Sequence, residues 1–118
     1  MKPATPGFAI TGHKGFHITF ENGWTISVQF GPGNYCKNYP MKGIRDWDAP
    51  AKSDSWTSPD AEIAAWGRGG DMASFGHDSV KGRVSPDEVA AYIAKIAAFP
   101  KDSTAESLGE PLKEEVEA

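Results

Sequence analysis

Cys36 is the only cysteine in this sequence, so no internal disulfide can form, and a reducing, cytoplasmic setting is expected. No apolar run approaches the roughly 20 residues of a membrane-spanning helix, so a membrane partner is not expected. The opening stretch, Met1–Thr11, has neither the basic nor the apolar region of a signal peptide. Cys-x-x-Cys pairs are missing, and so is the Gly-rich Lys-Ser/Thr signature of a nucleotide-hydrolysing loop. These gaps remove zinc-ribbon, disulfide-scaffold, transmembrane and P-loop readings. At 118 residues, 39% hydrophobic and 24% charged, the chain has the size and balance of one globular domain.

A basic excess is lacking too. The net charge is −4, and its distribution is uneven. Residues 1–99 carry ten Lys/Arg against ten Asp/Glu, whereas residues 100–118 carry Lys101 and Lys113 against six acidic residues. A neutral body does not hold nucleic acid by bulk charge, and a mimic of DNA would need an acidic folded surface. Residues 101–118 therefore read as an acidic, disordered tail on a domain spanning 1–100.

What is present is hairpin grammar. Phe16–Phe20 and Trp24–Phe30 both alternate apolar and polar residues, with Asn22-Gly23 between them. A two-residue Asn-Gly loop would put the two apolar sets on opposite faces. A three-residue loop, Glu21-Asn22-Gly23, pairs Phe20 with Trp24, Ile18 with Ile26 and Phe16 with Val28, and gives Gly23 the left-handed position of a G1 bulge. By the same logic His13-Lys14-Gly15 forms a loop that sets Ile10 opposite Ile18 and Phe8 opposite Phe20. Arg68-Gly69-Gly70 likewise sets Ala65 opposite Ala73 and Ile63 opposite Phe75, with Trp66 and Met72 on the other face, whereas a loop one residue different would put Ala64 and Trp66 on the packed face, so the register of 61–77 stays open.

Ser85-Pro86-Asp87-Glu88 opens a helix with an N-cap serine, proline at the first helical position and glutamate at the third. Val89, Ile93, Ile96 and Ala97 form its apolar stripe, Tyr92 and Phe99 lie at the margin, and Pro100 ends it. The expected architecture is α+β: an antiparallel sheet of two hairpins or a meander, about four or five strands, with one C-terminal amphipathic helix on one face.

Residues 31–59 form a long connection without strong periodicity, a length usually reserved for functional or disordered segments. Its aromatics Tyr35, Tyr39, Trp47 and Trp56 suit stacking on a flat ligand. Asn34, Lys37 and Arg45 suit its polar or phosphate groups. These seven residues are the candidate ligand-binding set, with no catalytic or metal residue and no cofactor assigned. Gly31-Pro32-Gly33-Asn34 resembles a phosphate-cradling turn only loosely, because no helix follows and Pro32 removes an amide donor. Thr19, Thr25, Ser27, Gln29 and His17 line the second sheet face, where hydroxyl and amide groups could meet a ligand's edges. His13, His17 and His77 with Cys36 do not form a metal set, and Cys36 would need His17 beside it to act as a nucleophile.

The stretches Gly15–Gly23 and Val28–Cys36, with Ala61–Trp66 and Ser85–Val89, resemble a group of small, mostly uncharacterised accessory proteins of tailed bacteriophages. That resemblance has no defined active site and transfers no catalytic residue. It implies a host-cytoplasmic antagonist of bacterial defence, acting by sequestering a nucleotide-derived signal or by blocking a defence protein directly. The expectation is a non-enzymatic binding protein for a small nucleotide-like ligand. The alternative is a protein–protein inhibitor of a defence complex, a small enzyme comes third, and homo-oligomerisation is left open.

Overall fold

A computed structural model describes residues 5–32, 34, 36–37, 57–76 and 78–108. Five strands, β1 (Gly7–Thr11), β2 (Gly15–Thr19), β3 (Thr25–Gln29), β4 (Ala61–Trp66) and β5 (Val80–Val84), form one antiparallel sheet in sequence order. Helix α1 (Pro86–Ala97) lies over β3 and β4, and a short turn of helix, α2 (Ala105–Leu108), follows. The fold is α+β, as the alternation and the capping signature imply.

The β2–β3 hairpin has the three-residue loop. Phe16 pairs with Val28 and Ile18 with Ile26, Phe20 N–H donates to Trp24 O, and Gly23 sits at φ 95°. The β1–β2 hairpin differs from expectation by two residues: Phe8 pairs with Ile18 and Ile10 with Phe16. Its turn uses Gly12 and His13, both with positive φ (53° and 59°), and is closed by Lys14 N–H on Thr11 O. Gly15 lies in β2 for another reason. A Cβ there would collide with Val28 O and with the Gln29 side chain crossing above it. A slip of two keeps every side chain on its face, so the apolar set is unchanged.

After β4 the chain begins the expected return. Trp66 bridges Met72, Ala73 N–H donates to Ala65 O, and Gly70 takes the left-handed third position (φ 90°). It then departs. Lys81, and not Phe75, pairs with Ile63, because β5 takes over the ladder beyond the bridge. Phe75 still packs in the core, edge-on to Tyr92 at 5.6 Å.

Helix α1 carries the full capping box: Ser85 Oγ accepts from Glu88 N–H, and Glu88 Oε1 accepts from Ser85 N–H. Its buried centre is Tyr92 and Ile96; Val89 and Ile93 are half-buried and Ala97 is exposed. Tyr92 is thus the axis of the buried stripe and not its margin. The helix end is held by the β2–β3 loop, where buried Asn22 donates to Ile96 O (2.8 Å) and Phe99 O (3.1 Å) while its Oδ1 accepts from Trp24 N–H. Asn22 thus adds a side-chain donor at the helix end, where Ile96 O also accepts from Phe99 N–H at 3.2 Å.

Residues 101–108 are docked, in contrast to the tail expected from composition. Asp102 N–H donates to Asn22 O, the Trp24 indole donates to both Ser103 O and Oγ at 3.0 Å, and Ala105 N–H meets Asp71 Oδ2. Ala105 and Leu108 pack against the core. Acidic composition misleads here because the anchors are backbone atoms, Ser103, two apolar contacts and an ion pair in which Asp102 itself meets Arg68 at 2.8 Å. Residues 109–118 lie outside the described residues.

The helix is about 10 Å across, and five strands about 4.8 Å apart make a wider sheet than it can cover. Burial therefore grades across the helix-side face. Ile26 and Ile63 are fully buried, Ile18 and Phe16 half-buried, and Phe8 and Ile10 on β1 are 85% and 84% exposed.

Candidate functional site

The opposite face of the sheet collects the polar members of each strand, as the alternation implies. The register arranges them in three cross-strand rows. One row runs Thr11, Gly15, Gln29, Glu62; the next Ala9, His17, Ser27, Ala64; the third Gly7, Thr19, Thr25, Trp66. Because Gly15 has no side chain, Gln29 Nε2 reaches across β2 to Thr11 Oγ1 (2.6 Å) while also donating to Ser27 Oγ (3.1 Å). Thr19 and Thr25 share a hydrogen bond between hydroxyls at 2.8 Å.

Two rings span the middle strand. His17 on β2 stands opposite Ser27, Trp66 on β4 stands opposite Thr25, and the rings meet edge-to-face at 5.1 Å and 81°. Their contact passes above β3, which accounts for the burial of the small polar residues Thr25 and Ser27 beneath it. Desolvation lowers the His17 pKa from its usual 6.5, so the imidazole is neutral at neutral pH. A base whose pKa is depressed by folding contributes fully above the unfolded value of about 6.5 and loses that contribution as pH falls through the folded value. The melting midpoint of the wild type should therefore fall between neutral pH and about pH 5 by more than that of His17→Gln. Equal acid sensitivity in the two proteins would remove His17 as the titrating group.

Beside this ring pair, at the β1 edge, lies an open cavity of about 310 Å³ bordered by residues 5–9, Phe8 included, and by His17 and Thr19. That volume is at the small end of ligand pockets, enough for a base or nucleoside. In the three rows across β1–β4 no position is Lys or Arg, and Glu62 is the one carboxylate. A second groove of about 190 Å³ lies on the helix side, lined mainly by Phe16, Val28, Phe30, Ala61, Val84 and Val89, with Ser58 and Asp60 also in its lining.

Of the residues singled out in the long connection, the structure places two. Asn34 is engaged within the chain: its Oδ1 accepts from Gly31 N–H (3.0 Å), its Nδ2 donates to Glu62 Oε1 (3.4 Å), and its own N–H donates to Gly31 O. The backbone N–H groups of Gly31 and Asn34 are thus already committed within the chain. Lys37 is exposed, its backbone N–H held by Asp60 Oδ1 at 2.7 Å. Tyr35, Tyr39, Arg45, Trp47 and Trp56 lie outside the described residues.

Cys36 is fully buried, with its thiol directed at Gly31 O, and His17 packs on Trp66, so neither serves the other as nucleophile and base here. His13 and His17 are four residues apart, but His13 is exposed in the turn while His17 lies in a strand. Among the described residues no group of three His, Cys, Asp or Glu is placed to hold a metal ion, and no helix is long and apolar enough to cross a membrane.

The ring pair could not be read from the sequence. His17 and the hydroxyl row follow from alternation within one hairpin, but Trp66 joins them only once β4 pairs with β3 across the long connection. Comparison with protein-family models, with curated proteins and with solved structures finds no match.

Proposed function

We propose that this protein is a non-enzymatic binding protein that captures a small, flat, nucleotide-derived ligand on the second face of its sheet. The observation that carries this reading is the His17–Trp66 ring pair set over hydroxyl and amide groups, next to a cavity of nucleoside size. A flat heterocycle would lie against the rings, and Thr19, Thr25, Ser27 and Gln29 would meet its polar edges. The lack of Lys and Arg in the three rows across β1–β4 makes the base and sugar, rather than phosphate, the part recognised there. Lys37 and Arg45 remain the expected phosphate-contacting cations of the long connection, and Tyr35, Tyr39, Trp47 and Trp56 its expected stacking residues. With the resemblance to phage accessory proteins, the ligand becomes a signal of bacterial defence, and sequestration becomes its effect.

The test is titration calorimetry of the full chain against cyclic nucleotides and cyclic ADP-ribose isomers, with Trp66→Ala as the site variant. Stacking on an aromatic is worth about 1–3 kcal/mol per base, so Trp66→Ala should weaken binding roughly 5- to 150-fold without unfolding the protein. Silence across the panel, with stable complex formation with a defence protein, would replace this reading by direct protein inhibition.

A further inference from the structure

The sheet has two outer edges, and they are finished differently. β5 carries Lys81 and Arg83, has a register irregularity opposite Ala61–Ile63, and bends at Arg83, which takes a positive φ of 57°. Cations and bulges are how sheet edges resist pairing with other chains. β1 has none of these. Its five residues, Gly7-Phe8-Ala9-Ile10-Thr11, include no charge and no proline, and Phe8 and Ile10 stand 85% and 84% exposed on the helix-side face. Left open, such a strand is an aggregation site.

We infer that the β1 edge is a homodimer interface, pairing antiparallel with β1 of a second copy to make one continuous ten-stranded sheet. The strand's own sequence selects this occupant. With the two-fold axis at Ala9, all five residues pair: Gly7 with Thr11, Phe8 with Ile10, and Ala9 with itself. Each large apolar residue then faces its complement on the same face, which is the self-complementarity a two-fold interface requires. The apolar row Ala65, Ile26, Ile18, Phe8 of one copy runs directly into the row Ile10, Phe16, Val28, Ile63 of the other. No like charges oppose each other anywhere in the pairing.

Its size sets the strength. Two Phe8 and two Ile10 side chains, with the paired backbone, bury on the order of 1,000 Å², below the ~1,200–2,000 Å² of standard stable interfaces. The dimer is accordingly a concentration-dependent one, with a dissociation constant on the order of micromolar.

The experiment is sedimentation velocity of the full chain from about 5 to 500 µM, for the wild type and Ile10→Lys. The wild type shifts from monomer to dimer across that range, and Ile10→Lys stays monomeric at an unchanged melting temperature, because Ile10 contributes little to the monomer's core. A second measurement reads the register. Ala9→Cys brings two thiols together at the axis, within cross-strand Cβ reach, and crosslinks rapidly on mild oxidation. Ser74→Cys, exposed and remote from β1, crosslinks only by random collision, and the native Cys36 is buried and does not compete. A wild type that is monomeric throughout, a dimer that survives Ile10→Lys, or Ala9→Cys crosslinking no faster than Ser74→Cys would each overturn the inference.

Discussion

Trp24→Ala is expected to lower the free energy of unfolding by about 3–5 kcal/mol, a large fraction of what a domain of this size has. Trp24 is fully buried where three parts of the chain converge. Its ring packs edge-on to Phe99 at 5.0 Å, just past α1, and its indole N–H is shared between Ser103 O and Oγ. Removal opens a cavity under the helix end and leaves the 101–108 segment without its central donor. Trp24→Phe separates the two contributions. It keeps an aromatic ring in the core but loses the N–H and part of the indole volume, so about 1–3 kcal/mol is expected. Urea unfolding of the three proteins reads both values, and a loss below about 1 kcal/mol for Trp24→Ala would place the tryptophan outside the cooperative core.

Ile26→Ala is expected to cost about 2–5 kcal/mol, and Thr25→Ala only about 0.5–1.5 kcal/mol. The comparison is informative because both residues are buried neighbours on β3. Ile26 lies in the apolar cluster beneath α1, whereas Thr25 lies on the opposite face, where its hydroxyl bonds to Thr19. Burial alone would make the two losses similar. Equal losses would contradict the assignment of the two faces.

The legible parts of this fold were those settled by short-range parity. In the β2–β3 hairpin only one loop length puts Phe16, Ile18, Ile26 and Val28 on the same face, and the chain adopts it. The first hairpin shows where parity stops. Slips of two leave the faces intact, so the hydrophobic pattern could not decide between Gly15 and the Gly12-His13 pair as the turn. The deciding force was long-range: Gly15 is required where the Gln29 side chain crosses β2. β5 escaped notice because Val80-Lys81-Gly82-Arg83-Val84 has weak strand composition, and its pairing to β4 is set by the core positions of Ile63 and Val84. Tyr92's hydroxyl lowers its hydropathy and gives it the pattern of a margin residue, although its ring fills the centre against Phe75. At the candidate site, the polar side of the β2–β3 hairpin was legible from the alternation of His17, Thr19, Thr25, Ser27 and Gln29. Trp66's place in it depended on a strand pairing that no local pattern encodes.

Asn22 joins the turn of one hairpin to the end of the helix, and its neighbour is Gly23, which gives this contact a chemical lifetime. Asn-Gly is the dipeptide most prone to spontaneous deamidation, because the unhindered glycine nitrogen attacks the asparagine side-chain carbonyl. In the fold that nitrogen is committed to Phe20 O, and the carbonyl oxygen is held by Trp24 N–H. Reaction therefore waits on opening of the loop, and the rate of ageing becomes a clock for that local motion. The product, an aspartate or isoaspartate, has only acceptor oxygens to present where an amide once donated to the carbonyls of Ile96 and Phe99. A single hydrolytic event thus turns the helix anchor into a repulsion, so aged molecules should first lose the helix terminus and the segment docked beside it.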